Sequence, residues 1–552
     1  MVARALRAGM MSVGASVVCI LSTSVITTAS AADQADLDAI NRIVDEGFNR
    51  SALPLTAAYL TDRIGARLTN SPQMREAERW TQQQFREWGL KNVRTEGFEF
   101  GRGWSIEKSS VRMLQPRIAE YRAIPVAWTP PTNGAISATI FVAPMSKEAD
   151  FERWRGKLRG QIVLVTQPDA GSEPLVAPFA RLTGDDIGKL DAYRQPLVSM
   201  DEEVEKRLER LGFEAKRDQF LASEGALAWV RRSYRDGGLL HGEGYLHRRD
   251  QSPKLPGFEL AAEHYRQLAR LAKVGPAPTL ELVSVVKYHD EDPKAYNVFA
   301  DLPGRDGKAG YVMAGAHLDS WVASDGAQDN AAGSAVVMEA ARILSKLGVK
   351  PKRTIRFALW NGEEQGLYGS FDYAERHLVS RGPVEPAERA SLPVYATWNL
   401  RWPVKAGPDY DALAAYFNLD NGSGKIRGIY AEGNIAATPI LKTWLAPFAS
   451  MGADSVVATP TYGTDHVPMQ AVGIPGFQFI QDPLDYGSRV HHTSIDSYDH
   501  LKMEDLKQAA VIMASMLWMS AERDQPLPKK PLPSKPLQTD PFEYEVEQPQ
   551  QQ

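Results

Sequence analysis

The sequence predicts an α/β protein: a mixed, mostly parallel sheet flanked by helices, with a β-rich domain inserted into it. Three observations predict this. From Gly310 onward, apolar runs of strand length alternate with amphipathic helices, the texture of a sheet covered on its faces. Each of those runs is followed by acidic, amide or imidazole side chains. Upstream, short β-type runs separated by turn-prone glycines form a stretch of different character.

The 552 residues exceed one ordinary domain and leave room for two folded units with terminal extras. Residues 1–31 read as a signal peptide. Arg4 and Arg7 precede a mostly apolar stretch from Met10 to Ile26, and Ala29-Ser30-Ala31 supplies a small-x-small cleavage pattern. A retained membrane anchor is the weaker reading, because serines and threonines interrupt the apolar run and a cleavage pattern follows it. Cys19, the only cysteine, lies inside this signal, and Val18 before it does not suit lipidation. The mature chain would then have neither disulfides nor a thiol nucleophile, which fits export to a periplasm or secretion, with no membrane attachment after cleavage.

Residues 38–125 are expected to form the first part of the main domain, with helical patterns over Leu60 to Leu68 and Met74 to Leu90. Residues 126–275 are expected to form the insert, with β-type runs at Ala138 to Val142 and Gln161 to Val165 around Gly156-Lys-Leu-Arg-Gly160. Between Ala180 and Pro256 the chain is charge-dense, and Glu202 to Arg210 reads as a solvated helical face without function. Residues 276–522 are expected to complete the main domain, with a helix at Ala331 to Leu347 and strands at Tyr311 to Ala316, Thr354 to Trp360, Ala414 to Leu419 and Gly476 to Ile480. The Pro-, Lys- and Gln-rich residues 523–552 read as a disordered tail.

Lys and Arg total 63 against 68 for Asp and Glu, so the chain carries no electrostatic footprint for nucleic acid. Chemistry is sought where open α/β sheets place it, beyond the carboxyl ends of strands. There the sequence offers His317-Leu-Asp319, then Gly326-Ala-Gln-Asp329, Asn361-Gly-Glu363-Glu364, Asp420-Asn421, and His491-His492-Thr-Ser-Ile-Asp496. Each has a bland alternative: a hydrogen-bonding histidine, a solvated glutamate pair, or Asp329 as the cap of a helix starting at Asn330. Their conjunction gives a mixed nitrogen and oxygen set that suits zinc.

Two zinc ions roughly 3.5 to 4 Å apart need one bridging carboxylate, and Asp329 suits that place. Asp319 is expected to fix the tautomer of the His317 ring. Glu363 and Glu364 are neighbours that cannot point the same way, so Glu364 is assigned to zinc and Glu363 to the proton of a metal-activated water.

The chain resembles the co-catalytic zinc exopeptidase family that includes bacterial leucyl aminopeptidases and carboxypeptidase Q, also called plasma glutamate carboxypeptidase. The resemblance rests on Leu60-Thr-Asp-Arg-Ile-Gly65 through Ser71-Pro72, on Tyr296 to Gly304, and on the five ligand positions. Gly463-Thr-Asp465-His466 through Gln481-Asp482 to Asp496 is most similar to the carboxypeptidase Q-like branch. It implies a zinc exopeptidase fold, a peptide substrate, and two zinc ions held by His317, Asp329 and Asp420 and by Asp329, Glu364 and His492, with Glu363 as base. It also prefers His492 to His491, because the family ligand is followed by Thr or Ser and, four residues on, by Asp.

The segment from Gly156 to Val165 and Leu255 to Leu260 resembles a protease-associated domain, expected to cover the cleft. Tyr462 is a candidate oxyanion donor or a plain packed tyrosine, and Asp465 and His466 read as a structural loop pair. The expected reaction is removal of a terminal residue, of aminopeptidase or dipeptidase type. The alternatives are a carboxypeptidase, a glutaminyl-cyclase-like transferase with one zinc, and a non-catalytic binding protein on the same fold. The preferred terminus, side chain and oligomeric state are not encoded in these patterns.

Overall fold

The computed structural model describes residues 35–172, 177–192, 196, 199–385, 389 and 394–539. The expected signal peptide and the last part of the expected tail lie outside the described residues. Among the described residues no helix is long and apolar enough to cross a membrane.

The main sheet has eight strands in the order Lys91–Glu99, Lys294–Leu302, Thr354–Trp360, Tyr311–His317, Leu413–Asn418, Gly476–Gln481, Ile426–Tyr430 and Ser455–Val457. Its centre, from Thr354–Trp360 through Gly476–Gln481, is parallel, and the first two strands pair antiparallel at one edge. The central strand shows why the pattern is a continuous apolar run. Val312, Ala314 and Ala316 face one core with the helices Leu37–Asn49, Ala332–Lys346 and Met503–Glu522, while Tyr311 and Met313 face the other with Trp360, Tyr373 and Tyr416. With both faces buried, alternation disappears from the sequence. Burial of each large apolar side chain contributes about 1.5–3 kcal/mol relative to exposure.

Between strands Lys91–Glu99 and Lys294–Leu302 the chain builds a second eight-stranded sheet. Its two longest members, Gly103–Gln115 and Thr279–His289, pair antiparallel with each other. The second sheet therefore begins near residue 103 and ends near 289, wider than the expected 126–275. The two paired strands are far apart in sequence, and strand periodicity alone does not say which sheet a strand joins.

Residues 523–539 correct the expectation of a tail that is disordered throughout. Leu527 is buried, Asn434 Nδ2 donates to the Pro528 carbonyl (2.6 Å), Lys530 N donates to the Gly473 carbonyl (2.9 Å), and Leu537 N donates to Asn399 Oδ1 (2.8 Å). Proline-rich composition marks the absence of helix or sheet, and here an extended strap uses side-chain and loop partners instead.

Candidate active site

The carboxyl ends of the parallel strands converge. His317 ends its strand, and Asp420 follows Leu413–Asn418 by two residues. Glu363 and Glu364 lie just past Thr354–Trp360, and His492 comes from the loop after Gly476–Gln481.

Asp329 sits in a kinked turn before helix Ala332–Lys346, with φ −125° and ψ 86°. The helix cap is supplied by Asn330 instead, whose Oδ1 accepts from Gly333 N (2.8 Å) while its Nδ2 donates to the Leu419 carbonyl (3.0 Å). This removes the helix-cap reading of Asp329 and leaves its carboxylate available. Gly333 is needed because a Cβ there would lie 2.3 Å from the Leu419 carbonyl oxygen. Asp496 fixes the turn by accepting from Gln328 N (2.6 Å) and Asp329 N (3.0 Å), and its carboxyl is raised to about 7 by burial with Asp329 nearby.

The five candidate ligands come together. His317 Nε2 lies 3.1 Å from Asp420 Oδ1 and 3.3 Å from Asp329 Oδ1. On the other side, His492 Nε2 lies 3.3 Å from Asp329 Oδ2 and 3.0 Å from Glu364 Oε2. His491 stacks on His492 with ring centres 3.7 Å apart, and its Nε2 stays 3.6 Å from Asp329 Oδ2. Asp329 is thus shared by two groups of potential ligands, one with His317 and Asp420 and one with His491 and His492.

The arrangement fits cations. Asp329 Oδ2 and Glu364 Oε1 are buried without a hydrogen-bond partner, a costly condition unless a positive charge faces them. Burial with Asp329 nearby raises the Glu364 carboxyl to about 8 in the metal-free protein. Burial opposes ionisation of Asp329, but the His317 hydrogen bond and the neighbouring His491 and His492 rings hold its carboxyl well below the usual range. Buried and half-buried imidazoles and carboxylates in this mixture form a donor set suited to zinc.

The expected role of Asp319 needs one correction. His317 Nδ1 lies 3.1 Å from the Asp319 backbone carbonyl, whereas the nearer carboxylate oxygen is 3.7 Å away. The carbonyl therefore sets the ring's tautomer. The Asp319 carboxylate accepts instead from Glu363 N and Glu364 N (both 3.3 Å) and from Thr69 Oγ1 (3.0 Å), so it holds the turn that aims the two glutamates. Glu363 itself keeps Oε2 4.0 Å from His317 Nε2, and burial, followed by the charges of Asp420, Asp465 and Glu364, pushes its carboxyl well up against the pull of His317.

One supporting residue, Arg67, was missed by sequence reasoning, while Asp465 and His466 were read only as a loop pair. Arg67 is fully buried and donates to the carbonyls of Leu318 (2.7 Å), Asp325 (2.7 Å) and Gly326 (2.8 Å), tying down the loop between His317 and Asp329. Its only sequence signal was its place just after the Leu60 to Gly65 motif. Asp465 is buried against Ser370 with its Oδ2 lacking a hydrogen bond, and burial raises its carboxyl to about 8. His466 Nε2 lies 3.1 Å from Thr461 Oγ1.

Asp329, Glu363, Glu364, Asp420 and His492 line a cavity of about 1100 Å³. The same cavity is lined by the inserted unit's helix Met200–Ser223, through Leu208, Phe213 and Arg217 among others. The charge-dense segment read as a solvated face therefore borders the site. Tyr462 is exposed on the same wall as Gly463.

Residues 297–517, which carry every candidate ligand, match the model of peptidase family M28. Over that segment the chain is similar to this family. It is 26% identical over 474 residues to carboxypeptidase Q of Bos taurus, covering 86% of each chain, and 25% identical over 477 residues to that of Homo sapiens, again covering 86% of each. Among solved structures it resembles a peptidase M28 precursor from Shewanella amazonensis, with a TM-score of 0.63, 23% identity, and coverage of 90% of this chain and 99% of that one. This last likeness bears on the fold.

Proposed function

We propose that the protein is a zinc-dependent exopeptidase that hydrolyses a peptide bond at a chain terminus. Two zinc ions would be held by His317, Asp329 and Asp420 on one side and by Asp329, Glu364 and His492 on the other. The observation that carries this reading is the placement of Asp329, with Oδ1 3.3 Å from one imidazole and Oδ2 3.3 Å from another. When bound, zinc lowers the pKa of water and polarises a carbonyl.

The protein's own residues supply the rest. Glu363 Oε2 stands 4.0 Å from His317 Nε2, whereas Glu364 Oε2 is 3.0 Å from His492 Nε2, which supports Glu363 as the group that would accept the proton of the attacking water and return it to the leaving amine. Asp319 fixes the turn that carries it. Helix Met200–Ser223 closes one side of the cavity, favouring short substrates or chain ends over internal segments of a folded protein. The expected signal peptide would deliver the enzyme to the periplasm or the exterior.

A complete ligand set and Glu363 in place disfavour a binding protein, and a shared Asp329 disfavours a one-zinc transferase. The test is hydrolysis by zinc-loaded protein of short peptides that are free, blocked at the amino end, or blocked at the carboxyl end. Release of terminal residues that stops with one of the two blocks, disappears with a chelator and returns with zinc supports the reading. Cleavage of internal bonds in doubly blocked peptides, or turnover indifferent to metal removal, refutes it.

A further inference from the structure

The geometry points to Glu243, on the inserted unit, as the residue that orients the metal ligand His492. This inference rests on the two-zinc reading above. Glu243 Oε1 lies 2.9 Å from His492 Nδ1. An ionised carboxylate only accepts, so the ring proton sits on Nδ1 and the Nε2 lone pair is directed at the Asp329 and Glu364 side of the site.

The surroundings make this contact a fixture of the fold. Glu243 Oε1 also accepts from Tyr234 Oη (3.1 Å), and its backbone carbonyl accepts from Arg231 Nη2 (2.8 Å). Arg231 is itself paired with buried Glu259 at 2.7 Å, on adjacent strands of the second sheet. The same stretch clamps the histidine loop on both sides of His492. Arg235 Nη1 donates to the His491 carbonyl (3.1 Å), Ser494 N donates to the Leu240 carbonyl (2.8 Å), and Leu240 N donates to Ser494 Oγ (3.2 Å). His492 needs such a clamp, because its φ of +62° is a backbone conformation that side-chain-bearing residues rarely adopt. The inserted unit thus completes the metal site in addition to walling the cleft.

The test is zinc titration into metal-free protein against a competing chelator, for the wild type, Glu243→Ala, Glu243→Gln and His492→Ala. Glu243→Ala is expected to weaken one of the two zinc sites roughly 10- to 100-fold while the other keeps its affinity. Glu243→Gln, which retains an acceptor, should fall between. Circular dichroism and thermal melting of the metal-free forms check that the variants fold. Wild-type affinity at both sites in folded Glu243→Ala overturns the inference. Two ions retained by His492→Ala would instead overturn the ligand assignment on which it rests, so the two failures are distinguishable.

A second feature stands independently. Arg217, on helix Met200–Ser223, lines the cavity with its guanidinium 4.8 Å from the Trp229 ring centre and 5.7 Å from that of Phe213. Among the described residues no carboxylate lies within ion-pair distance of it, and its buried Nε has no acceptor. We infer that Arg217 binds a carboxylate of the peptide substrate. The test compares wild type with Arg217→Ala and Arg217→Lys on a dipeptide, its carboxyl-terminal amide, and an amidated dipeptide whose second residue is Asp. A rise in KM of roughly 10- to 100-fold confined to the free dipeptide identifies the terminal carboxylate, and one confined to the Asp amide identifies an acidic side chain. Equal KM values for wild type and Arg217→Ala on all cleaved substrates overturn the inference, and cleavage of none by the wild type overturns the exopeptidase reading.

Discussion

Replacing Glu363 by Gln should separate catalysis from metal binding. The substitution keeps the side chain's shape and leaves its turn intact, because that turn is held by main-chain bonds. Glu363 N donates to Asp319 Oδ1 (3.3 Å), and Gly366 N and Leu367 N both donate to the Glu363 carbonyl (2.9 Å each). Its Oε2 stands 4.0 Å from His317 Nε2, farther than every contact among the five ligands quoted above. Zinc content should therefore match wild type. Loss of a general base costs about 10²- to 10⁴-fold in kcat, or about 3 to 5 kcal/mol in the barrier. The assay is steady-state turnover of a short peptide together with metal analysis of the same sample. More than a tenth of wild-type kcat would refute the base assignment, and loss of a zinc ion would make Glu363 a ligand.

Further outcomes follow from the same geometry. Asp329→Ala should lose both ions on dialysis, since each ligand group includes it; retention of two zincs per chain would remove it from the bridge. Asp319→Ala should reduce kcat by about 10- to 100-fold with zinc retained, because the glutamate turn loses its anchor, and an unchanged kcat would contradict this. Stability should also depend on pH through Glu259. Burial would raise its carboxyl, but Arg231 and His241 hold it at about 2, below its ordinary 4.5. A depressed folded value gives stability that is present above pH 4.5 and lost as the pH falls toward 2, on the order of 3 kcal/mol in all. Thermal melts should show Glu259→Gln flattening that acid dependence, and identical slopes for both proteins would contradict it.

The parallel sheet explains why so much of the site was readable. Strands buried on both faces leave unbroken apolar runs, and the residues just past their ends are the ones a ligand site can use, so His317, Glu363, Glu364 and Asp420 stood out in order. Asp329 is less plain, because the sequence equally allows it a helix-capping role, which Asn330 fills in the structure. Contributions across the chain were not readable. Glu243, Arg217 and Arg67 act through partners 249 residues away, across the cavity, or through carbonyls near residue 320, and no local pattern encodes such contacts. The alternating charges around residue 205 resemble any solvated helix, and only the packing of that helix over the cleft distinguishes it.

The central claim is most directly tested by a crystal structure of zinc-loaded protein with anomalous data at the zinc edge. The account predicts two anomalous peaks flanking the Asp329 carboxylate, roughly 3.5 to 4 Å apart, one beside His317 and Asp420 and the other beside Glu364 and His492. A single peak, or peaks that leave Asp329 on one ion only, would contradict it.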